Sequence, residues 1–161
     1  EQYQVGDAEV EGPVGLVLRR GQIHLLIHLG ATATAIEEAL RFETPLVAVP
    51  RTTSYDVEVQ GITIPAGAQV NLCIGSANRD ETRWENADSF DISRPRHSHI
   101  SFAGGIHSCL GMHLARVETK AMLNALFDRL TDITLVPDEG TEIVGMPFRS
   151  PATLPIRFRA V

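Results

Sequence analysis

The stretch that decides the fold is HSHISFAGGIHSCLG, residues 97–111, in which one cysteine lies among glycines and histidines. Cys109 stands just before a segment rich in helix formers, so we expect the N–H groups of a helix N-terminus to point toward its sulfur. Such groups favour the thiolate, which is the form of cysteine that binds metals. The glycines let the backbone approach a flat cofactor closely. On these features alone, a metal-bound thiolate and an inert buried cysteine in a glycine-rich loop are both open.

Four residues of this stretch have the spacing F-x-x-G-x-x-x-C-x-G: Phe102, Gly105, Cys109 and Gly111. This pattern resembles the haem-binding signature of the cytochrome P450 family, with every defining position matched. The resemblance implies that Cys109 is the metal ligand, binding the iron of haem b as a thiolate. It also implies that the other three residues shape the cofactor-binding loop around the sulfur.

A second match lies far away, at Glu38-Ala39-Leu40-Arg41. Taken alone, Glu38 and Arg41 are an ordinary i,i+3 pair worth a few tenths of a kcal/mol (~0.2–0.5). In the family, an E-x-x-R pair is buried and bonded to an arginine ahead of the haem loop, and Arg94 matches that position. The resemblance therefore implies that these three residues are structural rather than catalytic, since a buried cluster of this kind must be fully hydrogen-bonded.

Further cofactor contacts follow from the resemblance. Arg51, His99 and His107 match positions at which the family contacts the haem propionates, and arginine and histidine are suitable donors to carboxylates. The resemblance also implies a substrate pocket, whose lining on this chain would be Leu46, Val47, Ala48, Val49, Ser150 and Thr153.

The pattern of apolar and turn residues predicts a mixed α+β fold. We expect a helix over 33–42, strands over 47–49, 56–59, 62–64 and 68–74, a turn-rich stretch over 77–98, a long helix over 110–130 and short strands over 133–161. Thr32 or Thr34 is expected to cap the first helix, and Cys73 is expected to be a small buried thiol. By resemblance, this is the C-terminal portion of the mostly α cytochrome P450 fold, with small antiparallel sheets, the cysteine loop and a long helix behind the haem.

Only part of the chain matches the family. Residues 35–161 correspond to the haem-binding part, whereas residues 1–34 look β-like and do not match the long helix that the family carries over the haem. The sequence therefore resembles a fragment of the full enzyme, and a large apolar surface should be exposed.

Composition narrows the classes of partner. The 161 residues carry a net charge of -6, which makes nucleic acid an improbable partner because phosphate binding needs a basic surface. No apolar run approaches the roughly 20 residues of a membrane-spanning helix, and the first residues do not resemble a secretory signal. We therefore expect no membrane span and a cytoplasmic location. Two cysteines do not make a disulfide scaffold.

The resemblance implies a monooxygenase that oxidises a hydrophobic small molecule with O2 and electrons from a ferredoxin or flavoprotein. Candidate residues for docking that electron donor are Arg79, Arg83, Arg96, His97 and His113. Three alternatives stay open: a haem-binding or interaction module without turnover, a fragment with no cofactor, and a zinc site built from Cys109 and the neighbouring histidines.

Overall fold

The structure is a computed structural model that describes residues 32–95, 98–136 and 142–161. Most of the predicted β-like segment 1–34, and the docking candidates Arg96 and His97, lie outside the described residues. The helices are α1 (Thr32–Phe42), α2 (Ile74–Ala77) and α3 (Met112–Phe127). The strands are β1 (Val49–Thr52), β2 (Val57–Val59), β3 (Ile62–Ile64), β4 (Gln69–Leu72), β5 (Leu130–Leu135), β6 (Ile143–Val144), β7 (Ser150–Pro151) and β8 (Ile156–Ala160).

The strands pair into small antiparallel sheets. In the described part of the chain β1 pairs with β4, β2 with β3, β5 with β8 and β6 with β7. The β2–β3 hairpin turns at Gln60 and Gly61, whose φ angles of 50° and 78° suit the tight hairpin turn that the Gln60-Gly61 pair predicts. The expectation of short antiparallel strands is therefore confirmed.

Helices α1 and α3 pack against each other, and the core lies at α1. Its buried apolar side chains, Ile36 and Phe42, are joined by Trp84 from the turn-rich stretch. Along α3, by contrast, no side chain is buried, and the apolar side chains Leu114, Val117 and Met122 are exposed. Among the described residues no helix is long and apolar enough to cross a membrane.

Three local predictions were wrong. Cys73 is exposed, because β4 ends at Leu72 and the chain turns there into α2 instead of continuing as a buried strand. Thr34 lies inside α1 and therefore cannot cap it, and the Thr32 hydroxyl contacts the Asn124 side-chain oxygen at 3.3 Å. The long helix begins two residues later than predicted and ends at Phe127, since Leu130 already belongs to β5.

A long-range pairing, not foreseen from the sequence, joins the chain after α1 to the chain after β6. The Val47 amide donates to the Pro147 carbonyl at 3.0 Å, and the Arg149 amide donates to the Pro45 carbonyl at 2.8 Å. Leu46 and Phe148 therefore face each other as an antiparallel bridge. This bridge lies next to β7 and brings the two halves of the predicted substrate pocket side by side.

The bridge depends on a glycine at position 145. Gly145 has a φ of 106°, and a Cβ there would lie 2.2 Å from the Phe148 carbonyl oxygen. We therefore expect Gly145→Ala to lower the free energy of unfolding by about 3 kcal/mol, since both the left-handed φ and the backbone clash must be relieved. Denaturant unfolding of the protein measures the loss.

Gly61→Ala is the matched control for this prediction. Gly61 has a similar left-handed φ of 78°, but an added Cβ there meets nothing within 4 Å. Its replacement should cost about 1 kcal/mol, which is the conformational part alone. Equal losses at the two positions would show that the clash with Phe148 does not matter.

Candidate functional site

The site is organised around a buried arginine. Arg41 is 1% exposed, and its Nε and Nη2 donate to the two carboxylate oxygens of Glu38 at 2.8 and 2.7 Å. Its remaining N–H groups donate to the backbone carbonyls of Asn78, Ala87 and Ser89 at 2.8–3.0 Å. A guanidinium has five N–H donors, so every one of them has an acceptor. This complete set of hydrogen bonds is what makes burial of the charge tolerable.

Glu38 and Arg94 complete the cluster. The Glu38 carboxylate also accepts from the Asp91 amide at 2.9 Å and from Arg94 Nε at 3.3 Å. The outer nitrogens of Arg94 donate to the carbonyls of Glu85, Asn86 and Ser89. The structure thus brings together the three residues that the resemblance grouped. Their arginines hold the carbonyls of the turn-rich stretch, which explains how residues 78–94 take a defined path with little regular structure.

Asn78 connects this cluster to the cysteine loop, and sequence reasoning missed it. It is 1% exposed; its Nδ2 donates to Ser101 Oγ at 2.8 Å, and its Oδ1 accepts from the Ile100 amide at 2.9 Å. Ser101 Oγ in turn donates to the Leu40 carbonyl on α1 at 2.6 Å. The available signal was an asparagine at the start of a stretch rich in turn residues, where its side chain often bonds to backbone.

Replacing Asn78 with aspartate should weaken the start of the cysteine loop. A carboxylate oxygen would face Ser101 Oγ, whose only proton is already donated to Leu40. A buried charge without a donor is costly, so we expect the free energy of unfolding to fall by about 3 kcal/mol. Chemical denaturation of the protein checks this, with Asn71→Asp on the exposed part of β4 as the control. An equal effect at both positions would contradict the proposed link.

The cysteine loop itself is short and exposed. The Cys109 amide donates to the Phe102 carbonyl at 2.9 Å, and the Ser108 hydroxyl donates to the Gly105 carbonyl at 2.9 Å. Gly105 has a φ of 60°, and Ala103, two residues earlier, has a φ of 58° although it is not a glycine. These bonds close a tight loop that ends where α3 begins, with the Cys109 thiol exposed.

His99 lies beside this loop and contacts two other residues of the chain. Its Nε2 lies 3.1 Å from Glu37 Oε2, and its Nδ1 accepts from the Ser101 amide at 3.2 Å. Because Nδ1 acts as an acceptor, the ring is neutral and Nε2 carries the proton. Burial lowers the pKa of His99, and this outweighs the opposite effect of the Glu37 carboxylate. Both ring nitrogens therefore have partners on this chain, and the propionate contact of His99 stays a prediction.

Acid should destabilise the protein through this histidine. Since the pKa of folded His99 lies below the 6.5 of an ordinary histidine, the unfolded chain binds the proton first. The free energy of unfolding should therefore fall as pH drops below about 6.5. Below pH 4.5 protonation of Glu37 adds only a small further loss: its hydrogen bond from Arg116 lowers its pKa in the folded state, but the pair is partly exposed.

Denaturant unfolding at a series of pH values measures the effect. His99→Gln should flatten the curve between pH 7.5 and 5.5, since the amide does not titrate. His113→Gln, at an exposed position on α3, should keep the wild-type slope. A wild-type slope in His99→Gln would refute the assignment.

The remaining predicted residues are less connected. Arg51 lies on β1, half-buried, with Nη1 donating to the Pro50 carbonyl at 2.8 Å, and His107 is exposed in the turn before Cys109. Among the described residues, no hydrogen bond joins Arg51 to His107 or Cys109. Arg79 donates twice to the Phe42 carbonyl, at 2.9 and 2.7 Å, so this docking candidate already supports α1.

The predicted pocket residues fall on the bridge region. Leu46 forms the bridge itself, Val49 opens β1, Ser150 opens β7 and Thr153 is exposed. As for the zinc alternative, no group of three histidine, cysteine or acidic side chains close enough to hold a metal occurs among the described residues, which exclude His97.

Comparisons with known proteins agree on one family. A family profile described as Cytochrome P450 matches residues 17–142. The match therefore reaches into the segment that the motifs left unassigned, and where the domain begins stays a prediction. The biotin biosynthesis cytochrome P450 of Bacillus subtilis is 41% identical over 125 residues, covering 78% of this chain and 32% of the relative.

Two further similarities cover more of the chain. The mycinamicin IV hydroxylase/epoxidase of Micromonospora griseorubida is 36% identical over 163 residues, covering 96% of this chain and 40% of the relative. The solved structure of cytochrome P450 CYP109Q5 from Chondromyces apiculatus superposes with a TM-score of 0.83 at 39% identity, covering 92% of this chain and 39% of that one. The predicted fold class is confirmed. The chain spans 32–40% of the length of the curated relatives named here.

Proposed function

The chain belongs to the cytochrome P450 family, and we propose that it forms the haem-binding, C-terminal part of a haem-thiolate monooxygenase. The family binds haem b through a cysteine thiolate, and Cys109 is the residue that matches this ligand. The observation that carries the proposal is the hydrogen-bonded path from the buried Glu38–Arg41–Arg94 cluster through Asn78 to the loop of Cys109. The Cys109 thiol is exposed on this supported loop, which argues against the alternative of an inert buried cysteine.

The chemistry of the loop fits a large, flat and mostly apolar cofactor. Ile106 and Leu110, on either side of Cys109, have their side chains 97% and 99% exposed. A Cβ at Gly104 or Gly105 would meet nothing within 4 Å, so the surface beside the thiol is open. Exposed apolar side chains of this size are unfavourable in water, which supports their being covered by a cofactor.

Each residue has a separate task in this proposal. Cys109 binds the iron and donates electron density to it. Phe102, Gly105 and Gly111 shape the loop; a Cβ at Gly111 would lie 4.0 Å from Cys109 Sγ, in contact with the sulfur. Arg51, His99 and His107 donate N–H groups to the propionates. When bound, the haem supplies the site at which O2 is activated.

The substrate is proposed to be a hydrophobic small molecule. The bridge between Leu46 and Phe148 supports a pocket wall formed by Leu46, Val47, Ala48, Val49, Ser150 and Thr153, since it joins both predicted parts. Exposed Met146 and Phe148 add apolar surface nearby. A relative named as a steroid C26-monooxygenase supports an apolar, polycyclic class of substrate.

Electrons are proposed to come from a ferredoxin or a flavoprotein that docks near the cysteine loop. Arg83 and His113, both exposed, stay candidates for that surface, whereas Arg79 is engaged with Phe42. The cytoplasmic location stays a prediction from composition.

The experiment is an absorption spectrum of the haem-loaded protein reduced under carbon monoxide, followed by turnover with a surrogate electron donor, O2 and a steroid. A strongly red-shifted Soret band together with a hydroxylated product is the expected result. The red-shifted band without product would favour a haem-binding module without turnover. A band at the ordinary histidine-ligated position would overturn the proposal.

A further inference from the structure

Glu37, which precedes Glu38 of the E-x-x-R pair, has a carboxylate that makes its own contacts with two other parts of the site. Glu37 Oε1 accepts from Arg116 Nε at 2.6 Å, and Oε2 accepts from Arg116 Nη2 at 2.8 Å and from His99 at 3.1 Å. Arg116 belongs to α3 and His99 to the segment that leads into the cysteine loop. A single side chain of α1 therefore fixes two other parts of the site.

Both partners of Glu37 flank the same aromatic ring. The Arg116 guanidinium lies over the Phe102 ring, 4.7 Å from its centroid, in a cation–π arrangement. The His99 ring is also close to the Phe102 ring: the two centroids are 6.2 Å apart, and the ring planes are tilted by 42°. Since the Phe102 carbonyl accepts from the Cys109 amide at 2.9 Å, a shift of Phe102 is passed on to the iron ligand.

We propose that Glu37 is a positioning residue for the thiolate ligand, acting through Arg116 and His99 on the Phe102 ring. This inference rests on the proposed haem-thiolate function. The carboxylate holds the guanidinium by two parallel hydrogen bonds, a geometry that fixes its plane as well as its distance. The fixed plane keeps the Phe102 ring in place, and with it the carbonyl that accepts from the Cys109 amide.

The Glu37–Arg116 pair differs from the E-x-x-R cluster in how far it is buried. The side chains of Glu37 and Arg116 are 36% and 32% exposed, whereas those of Glu38 and Arg41 are 5% and 1% exposed. Exposed ion pairs contribute little to global stability. Loss of the Glu37 charge should therefore leave the fold intact and act locally, on the loop.

The test follows the lifetime of thiolate ligation in the haem-loaded protein. The reduced protein under carbon monoxide is followed as the red-shifted band converts to the ordinary band. Glu37→Gln should speed this conversion about tenfold, as expected for the loss of charge-assisted hydrogen bonds, and should shift the haem reduction potential, while the thermal midpoint stays close to that of wild type. Glu118→Gln, an exposed carboxylate on the same helix as Arg116, is the matched control and should behave as wild type.

A second background shows whether Glu37 acts through the ring. In Phe102→Leu the same Glu37→Gln change should have less than a twofold effect, because the ring through which it acts is gone. An unchanged tenfold effect there, or a wild-type rate in Glu37→Gln alone, overturns the inference. If Glu37→Gln does not load haem, Glu37→Asp in both backgrounds decides by the same comparison. A wild-type protein with no red-shifted band would instead refute the proposed function itself.

Discussion

Replacing Cys109 with serine should abolish the red-shifted carbon monoxide band entirely. A serine hydroxyl remains protonated near neutral pH and does not donate electron density to iron as a thiolate does. The hydrogen bond from residue 109 to the Phe102 carbonyl is donated by the backbone amide, so the loop should keep its shape in the variant. Bound haem, if retained, should show only the ordinary band in the reduced carbon monoxide spectrum.

Cys73→Ser is the matched control, because Cys73 is the other thiol of the chain and is also exposed. It lies between β4 and α2, away from the cysteine loop in sequence, and its variant should keep the full red-shifted band. Loss of that band in Cys73→Ser, or its persistence in Cys109→Ser, would show that Cys109 is not the ligand.

The two motifs were readable from the sequence because each depends on local spacing. An E-x-x-R pair places Glu38 and Arg41 one helical turn apart, so their contact follows from the period of α1 alone. A Cys just before a helix likewise follows from where the apolar periodicity of α3 starts. Contacts set by helical geometry need no knowledge of the tertiary fold.

The other partners of Arg41 were not readable, for a physical reason. Three of its five N–H groups bond to the carbonyls of Asn78, Ala87 and Ser89, and a backbone carbonyl is the same chemical group at every residue. Sequence therefore indicates that a buried arginine needs acceptors but not where they lie. The bridge of Leu46 to Phe148 is hidden in the same way, because backbone pairing across about a hundred residues leaves no short-range pattern.

The partner of His99 on α1 was not readable for a related reason. A histidine N–H can donate to a haem propionate or to a carboxylate of the chain itself, so the residue type does not distinguish the two partners. The contact of His99 with Glu37 depends on the orientation of the Glu37 side chain, which Arg116 fixes only when α1 and α3 pack together. Cys73 was misjudged because the strand ends at Leu72, two residues earlier than predicted, which exposes the side chain that follows it.

Arg41→Lys should prevent the protein from reaching its folded, haem-loaded state, although the charge is retained. An ammonium group has three donors where the guanidinium has five, so at least two of the acceptors around position 41 would lose their bonds in a buried site. Breaking a buried ion pair or leaving its partners unsatisfied costs about 3–5 kcal/mol, a large part of the 5–15 kcal/mol by which a typical domain is stable. The carbonyls set free are those that hold the turn-rich stretch, and Asn78 ties that stretch to the cysteine loop.

The measurement is the yield of soluble haem-loaded protein and its unfolding midpoint in denaturant. Arg157→Lys, an exposed arginine on β8, is the matched control, and its midpoint should stay close to that of wild type. A wild-type midpoint in Arg41→Lys would mean that charge alone, without the five-donor geometry, supports the cluster. Since each of the five N–H groups of Arg41 has its own acceptor, the geometry requires the opposite: the shape of the guanidinium, as much as its charge, holds the cysteine loop in place.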